Sequence, residues 1–282
     1  TPKFLAPLYD TAHLLTLFVL ARVGINLLIE FIDIGEWTDT TQFWGAADLI
    51  TLAGSYALFA WGRYQERWAH VAAWLGFGGG GLIAIVYSRG HGSSAAIGAV
   101  IASLFILAER GMNYLISGAG VKRRMRARAR LVWILFRRPL LVTGWIASAG
   151  TIGMALIHNM LLLGGGRIQQ TWAAIGLTII VVLYALSARM FRMARFVWLA
   201  AFLSFIPWTL YHNLGWFTSY KPVLTEFAIA WTILAWVSFL ISLWVGQIGK
   251  LSYAMPLKTF THILLPFSML WAIPDTDVRL VT

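Results

Sequence analysis

Apolar positions run along the chain in unbroken stretches, at 11–34, 42–62, 69–87, 95–116, 140–164, 171–188, 196–216 and 223–246. A helix rises about 1.5 Å per residue, so a stretch of roughly 20 residues can cross ~30 Å of hydrocarbon. Inside a bilayer only helices and closed barrels satisfy their own backbone groups, and a barrel strand would alternate apolar with polar positions. The pattern therefore predicts an all-α integral membrane protein of about eight transmembrane helices. A further apolar piece, 259–273, has 15 residues and contains Pro266. It is expected to form a short C-terminal helix, as a span, a re-entrant segment or an interfacial helix.

The pattern repeats. Residues 44–77 laid over 172–205 without a gap match Trp44 to Trp172, Tyr56 to Tyr184, Arg67 to Arg195 and Phe77 to Phe205, with 12 of 34 pairs identical at a constant offset of 128. Shared apolar composition does not place matched Tyr and Arg at one offset. The expectation is two tandem four-helix units. Four is even, so both face the same way, as in parallel repeats. The boundaries read 1–116 for the first unit, 117–139 for a basic cytoplasmic linker that could lie as an interfacial helix, 140–246 for the second unit, and 247–282 for the short apolar segment and tail.

Composition agrees with a bilayer as solvent: 59% of residues are hydrophobic, 12% are charged, and the mean hydropathy is +0.74. The net charge of +11 would suggest nucleic acid in a water-soluble domain, but the cations sit between apolar runs and no folded basic domain surrounds them. They read as topology signals. With a cytoplasmic N-terminus, 17 of the 22 Lys and Arg fall on the inner side, and only Arg89, Arg167 and Lys221 on outer connections. The localisation expected is the inner (cytoplasmic) membrane, multi-pass. No basic region with a small-residue cleavage site opens the chain, so the first apolar run is expected to remain as a span. No cysteine occurs, which removes thiol chemistry and disulfides from this chain.

Ionisable residues inside spans carry a functional presumption, because charge in hydrocarbon is costly. Arg22, Glu30, Asp48 and Glu109 form this set in the first half, with Asp33 nearby, and Glu226 joins from the second. Depth counting lets Arg22 pair with Asp48; a proton path through Glu109, Arg22, Asp48 and Glu30 is the sharper alternative. Histidines fall at two depths, His158 with His212 and His13 with His70. Two imidazoles at one depth on two helices meet the first requirement of bis-histidine haem b ligation, and the same groups could line a quinone or solute site. Lys122, Arg123, Arg124, Arg126, Arg128 and Arg130 form a cationic stretch. Within 121–138 it suits anionic lipid headgroups, at about 1 kcal/mol per surface cation.

Glycines 76 and 78–81 predict a close helix crossing, since small residues permit the closest approach in lipid. The matching stretch of the second half holds Pro207, so the two halves are expected to differ in role. Many of the fifteen Trp lie near span ends, as interfacial anchors do. No metalloprotease, nucleophile-elbow or phosphate-loop motif is present, so an enzyme acting alone is not expected. The first function expected is a membrane subunit of a larger assembly, alongside other membrane subunits, that supports electron or proton movement or simply scaffolds it. A small-solute or ion transporter with a pathway between the two units, and a non-catalytic scaffold, are the alternatives.

The cation count makes a direct forecast. A reporter active only in the cytoplasm should be active when fused within 117–139 and silent when placed within 88–93. The opposite pattern would contradict the orientation.

Overall fold

A computed structural model describes residues 13–14, 16–22, 25, 39–87, 91–117, 123–156, 166–215 and 226–272 of the chain. Among them there is no strand. They form the long helices α1 (Asp39–Arg63), α2 (Glu66–Tyr87), α3 (His91–Ser117), α4 (Arg123–Leu156), α5 (Arg167–Phe191), α6 (Arg195–Asn213), α7 (Phe227–Gln247) and α8 (Leu251–Ala272), and helical residues also lie between 13 and 25. Among the described residues, five stretches are long and apolar enough to cross a membrane: Phe43–Arg63, Gly92–Ile116, Ala129–Leu156, Arg167–Phe191 and Phe227–Gln247.

The distribution of side-chain sizes is that of a protein dissolved in lipid. Ala60, Ala69, Ala95, Ala99, Ala102, Ala173, Ala174 and Ala235 are fully buried, while Leu58, Leu104, Leu240 and Leu251 are exposed. Lipid tails are as apolar as leucine, so nothing drives large apolar groups inward. Helices associate instead where small residues let them touch.

The chain divides into two compact units. One comprises residues 1–89 and 104–147, the other 90–103 and 148–282, so α3 and α4 each contribute to both. This differs from a division at 116 and 140. Ala95 and Ala96 give the reason: a β-carbon added to Gly176 of α5 would stand 2.9 Å from the Ala96 α-carbon, so the start of α3 packs backbone to backbone on α5.

Two helical hairpins carry the repeated sequence. α1 packs along α2, and α5 along α6. Tyr64 (φ 53°) and Arg192 (φ 55°) are left-handed and stand 128 residues apart. The following amides close the same bonds, Gln65 to the Ala60 carbonyl at 3.3 Å and Met193 to the Ala188 carbonyl at 3.2 Å. Arg67 donates to Gln65 Oε1 and its guanidinium lies 4.9 Å from the Trp68 ring. Arg195 donates to Met193 Sδ and lies 5.7 Å from the Phe196 ring. Each landmark of one turn recurs at the matching position of the other.

Along the helices the two hairpins diverge. A β-carbon on Gly79 would stand 2.8 Å from Ile50 Cγ1, 3.1 Å from the Ala46 carbonyl oxygen and 3.3 Å from the Ile50 nitrogen, so the glycine run forms the close crossing expected of it. α6 continues through Pro207, which has no N–H to give. It reaches α7 through hydrogen bonds instead, from Trp208 Nε1 to the Ala230 carbonyl at 2.7 Å and from Trp231 Nε1 to Thr209 Oγ1 at 3.0 Å.

Two sequence expectations need correction. The C-terminal apolar piece is not 15 residues but part of the 22-residue α8, which runs through Pro256 and Pro266. It lies antiparallel to α7 over the whole length: Thr232 Oγ1 bonds Ser268 Oγ, Thr261 Oγ1 bonds the Ala235 carbonyl, and Ala228 shares a buried cluster with Ala272. Small hydroxyl residues inside the pair supply partners that a count of apolar residues overlooks. The basic segment is likewise no separate linker from 123 onward, because it is the first half of the 34-residue α4, unbroken at Pro139. At 1.5 Å per residue α4 is about 51 Å long, which exceeds the ~30 Å hydrocarbon layer.

Gly79→Ala should destabilise the α1–α2 hairpin by about 1–3 kcal/mol, because backbone atoms must yield. Gly81→Ala, with open space around it, should be neutral or stabilising by up to about 1 kcal/mol. Thermal unfolding of the two detergent-purified variants compares them; equal melting points would refute the packing argument.

Candidate functional site

Four helix segments of the second unit come together around a feature of chemical interest. The last turns of α5, the first half of α6, the second half of α7 and the first turns of α8 surround a cavity of about 920 Å³, near the upper end of the ~300–1,000 Å³ usual for small-molecule sites. Its walls are apolar, with Val181, Ala201, Leu234 and Ile241 among them, and Arg189, Arg192 and Lys250 line it together with Tyr253. None of its lining residues is acidic.

Local structure explains how these cations come together. Arg189 and Arg192 are three residues apart at the C-terminal end of α5, hence neighbours on the helix surface. Arg192 ends the helix in a left-handed conformation that a non-glycine residue adopts at a cost of about 1–2 kcal/mol. Its amide and that of Met193 both bond the Ala188 carbonyl, to which the Tyr253 hydroxyl also donates at 3.3 Å. That third bond ties the start of α8 to the end of α5. Lys250, in the α7–α8 turn beside Gly249 (φ 78°), is thereby carried to the same cavity.

In the sequence these three cations read only as topology signals. One feature marks them: at the positions of Arg189 and Arg192 the first copy carries Trp61 and Tyr64.

Glu109 is fully buried. Trp133 Nε1 donates to its Oε1 at 3.2 Å, Arg137 Nε stands 3.6 Å from the same oxygen, and Arg110 Nε lies 3.2 Å from Oε2. Arg137 also stacks over the Trp133 ring at 4.8 Å. Glu109 thus fastens the basic half of α4 to α3, and its partners are not the groups of the expected proton path. Arg22 is exposed and Asp48 half-buried. Ion pairs among the described residues join His70 to Glu66 and Glu109 to its two arginines, and none joins Arg22 to Asp48.

His13 and His70, expected as a pair, have different neighbours. His13 stacks on Trp68 at 4.6 Å and bonds the Tyr56 hydroxyl through Nδ1 at 3.0 Å, whereas His70 Nε2 faces Glu66 at 3.6 Å. His212 is buried, its ring edge-on to Phe227 at 4.9 Å, with Glu226 in electrostatic reach. The structure therefore brings together two of the residues singled out, His212 and Glu226. Among the described residues no group of three or more His, Cys, Asp or Glu is placed to hold a metal ion. His158, Glu30 and Lys122 lie outside the described residues, as do the side chains of Arg123, Arg124, Arg126 and Arg128; Arg130 is exposed.

Glu109→Ala should lower stability by about 2 kcal/mol, since it strips a buried acceptor from an indole and two guanidinium groups. Glu109→Gln, which keeps an acceptor for Trp133, should lose less. Thermal unfolding measures both, and a Glu109→Ala protein as stable as the parent would refute the fastening role. No protein-family model matches the chain, and no curated protein or solved structure matches it either.

Proposed function

We propose that the chain is a non-catalytic, multi-pass subunit of a larger assembly in the inner membrane, and that its second set of helices holds an apolar-bodied small molecule. The observation that carries this reading is the cavity of about 920 Å³, apolar along its walls and cationic where α5 ends and α8 begins. Ligand sites combine an apolar body with a few convergent polar groups in this way.

The membrane arrangement proposed with it has the N-terminus in the cytoplasm, as the asymmetry of Lys and Arg supports. Two tandem four-helix units in parallel orientation are supported by the matched turns at Tyr64 and Arg192 and by helix α5 starting 128 residues after α1. α8 crosses as a ninth span in this arrangement, supported by its full-length pairing with α7. The basic half of α4 then projects at the cytoplasmic face toward anionic headgroups.

The buried His212 beside Glu226 favours a second reading, in which the subunit passes electrons or protons through a haem b or quinone held near that pair. Oxidised and reduced absorption spectra of the native material separate the two, because a haem Soret band belongs to the second alone. The transporter alternative would run near Arg22, Asp48, His158 and Glu226, and it gains no support from a pairing of Arg22 with Asp48.

Ala185 and Val237 line the cavity and are exposed, so bulk added there enters the cavity rather than a helix contact. Native mass spectrometry of the detergent-purified chain should show a retained small molecule, and Ala185→Trp with Val237→Trp should strip it. Unchanged retention would overturn the ligand-holding role.

A further inference from the structure

Within the proposed ligand-holding reading, on which this rests, we infer that the occupant is an anionic lipid whose phosphate sits at Arg189, Arg192 and Lys250 and whose hydrocarbon chain lies along Ala201, Leu234 and Ile241. Three observations meet at this place. Arg189, Arg192 and Lys250 line one cavity in which no carboxylate balances them. Like charges gathered at the edge of a low-dielectric space repel, and an anion placed among them removes the repulsion while gaining three attractive partners.

The second observation is conformational. Arg192 occupies a left-handed C-cap, where glycine is the unstrained choice. Tyr64 shares this conformation in the first copy, so the turn itself requires it; its effect here is to set the Arg192 side chain at the end of α5. Here the side chain reaches the cavity.

The third comes from the duplication. The first copy builds the same turn but has Trp61 and Tyr64 at the two arginine positions, and there a smaller space is bounded by Trp61, Gly62, Tyr64 and Leu131. At the position matching Val237 it has Glu109, engaged by Arg110 and Arg137. The cations of the second copy are therefore not required by the hairpin fold, because the same turn forms without them. Guanidinium groups match phosphate oxygens through paired N–H donors, and the ammonium adds a point charge. A neutral quinone or sterol would use the apolar walls and leave the cations idle. A free inorganic phosphate would use the cations and leave the walls idle.

The test places the full chain in nanodiscs of equal phosphatidylglycerol and phosphatidylcholine with the same acyl chains, extracts it in detergent, and counts retained lipids by native mass spectrometry. The parent should retain phosphatidylglycerol over phosphatidylcholine by roughly tenfold or more, as three cations acting together allow. R189Q/R192Q/K250Q should bring the ratio near unity while lipid is still retained. R192G should lower the ratio although it relieves the left-handed strain, so a loss there cannot come from misfolding. Inorganic phosphate added to the parent should not displace the lipid; displacement would make the site one for free phosphate. Retained lipid with no headgroup preference, or a preference untouched by the triple variant, would overturn this inference and leave the ligand-holding reading standing. No retained lipid in the parent, with A185W/V237W behaving identically, would bring down both.

Discussion

Everything in this fold depends on how closely two helix backbones approach when lipid, rather than water, surrounds them. Burying leucine against leucine gains little over leaving it in acyl chains, so the contacts that hold the helices are made where side chains are smallest. Gly79 meets Ile50 and Ala46 in this way, and Gly176 meets Ala96. The α7–α8 pair adds hydroxyl groups that bond across it, as between Thr232 and Ser268. Some large apolar residues fill the interior, as Leu177 and Ile180 do, but many others, such as Leu58 and Leu240, stand on the outer surface, where acyl chains solvate them as well as a core would.

That constraint explains why the repeated hairpins agree at their turns and disagree along their helices. A turn such as that at Tyr64 or Arg192 is fixed by backbone bonds to one carbonyl, and few sequences satisfy it. A helix contact can be met by any pair of surfaces that fit. α1 and α2 use glycine, while α6 exchanges the glycine run for indole and hydroxyl bonds to α7. A duplicated unit can thus keep its connections while its interior takes on different tasks.

The difference in interior chemistry fits a division of labour. In the first copy a buried carboxylate is neutralised by two arginines and an indole, which holds the basic half of α4 in place. In the second copy valine stands at the matching position, and the space beside it stays open with cations at its edge. The buried carboxylate is thus paired at its own site, while the cations of the second copy line a cavity that has no acidic residue in its walls.

Much was legible in the chain itself. Long unbroken apolar runs follow from the bilayer's thickness and from the need to satisfy backbone groups, so helices were readable, as were the repeat and the glycine crossing. The length of α8 and the continuity of α4 were not, because Pro256, Pro266 and Pro139 suggest breaks that neighbouring helices and side chains make good. Nor could depth counting pair Arg22 with Asp48 or His13 with His70, since rise per residue places a group along the membrane normal and says nothing of its direction around the helix. The cavity was hidden for the same reason: Lys250 is far along the chain from Arg189 and Arg192, and contacts such as the hydrogen bond from Tyr253 to the Ala188 carbonyl bring the ends of α5 and α8 together. Sequence alone determined which solvent the chain suits and where it repeats; tertiary structure decided which charges pair with one another and which line a cavity, because that depends on azimuth and contact between helices distant in the chain.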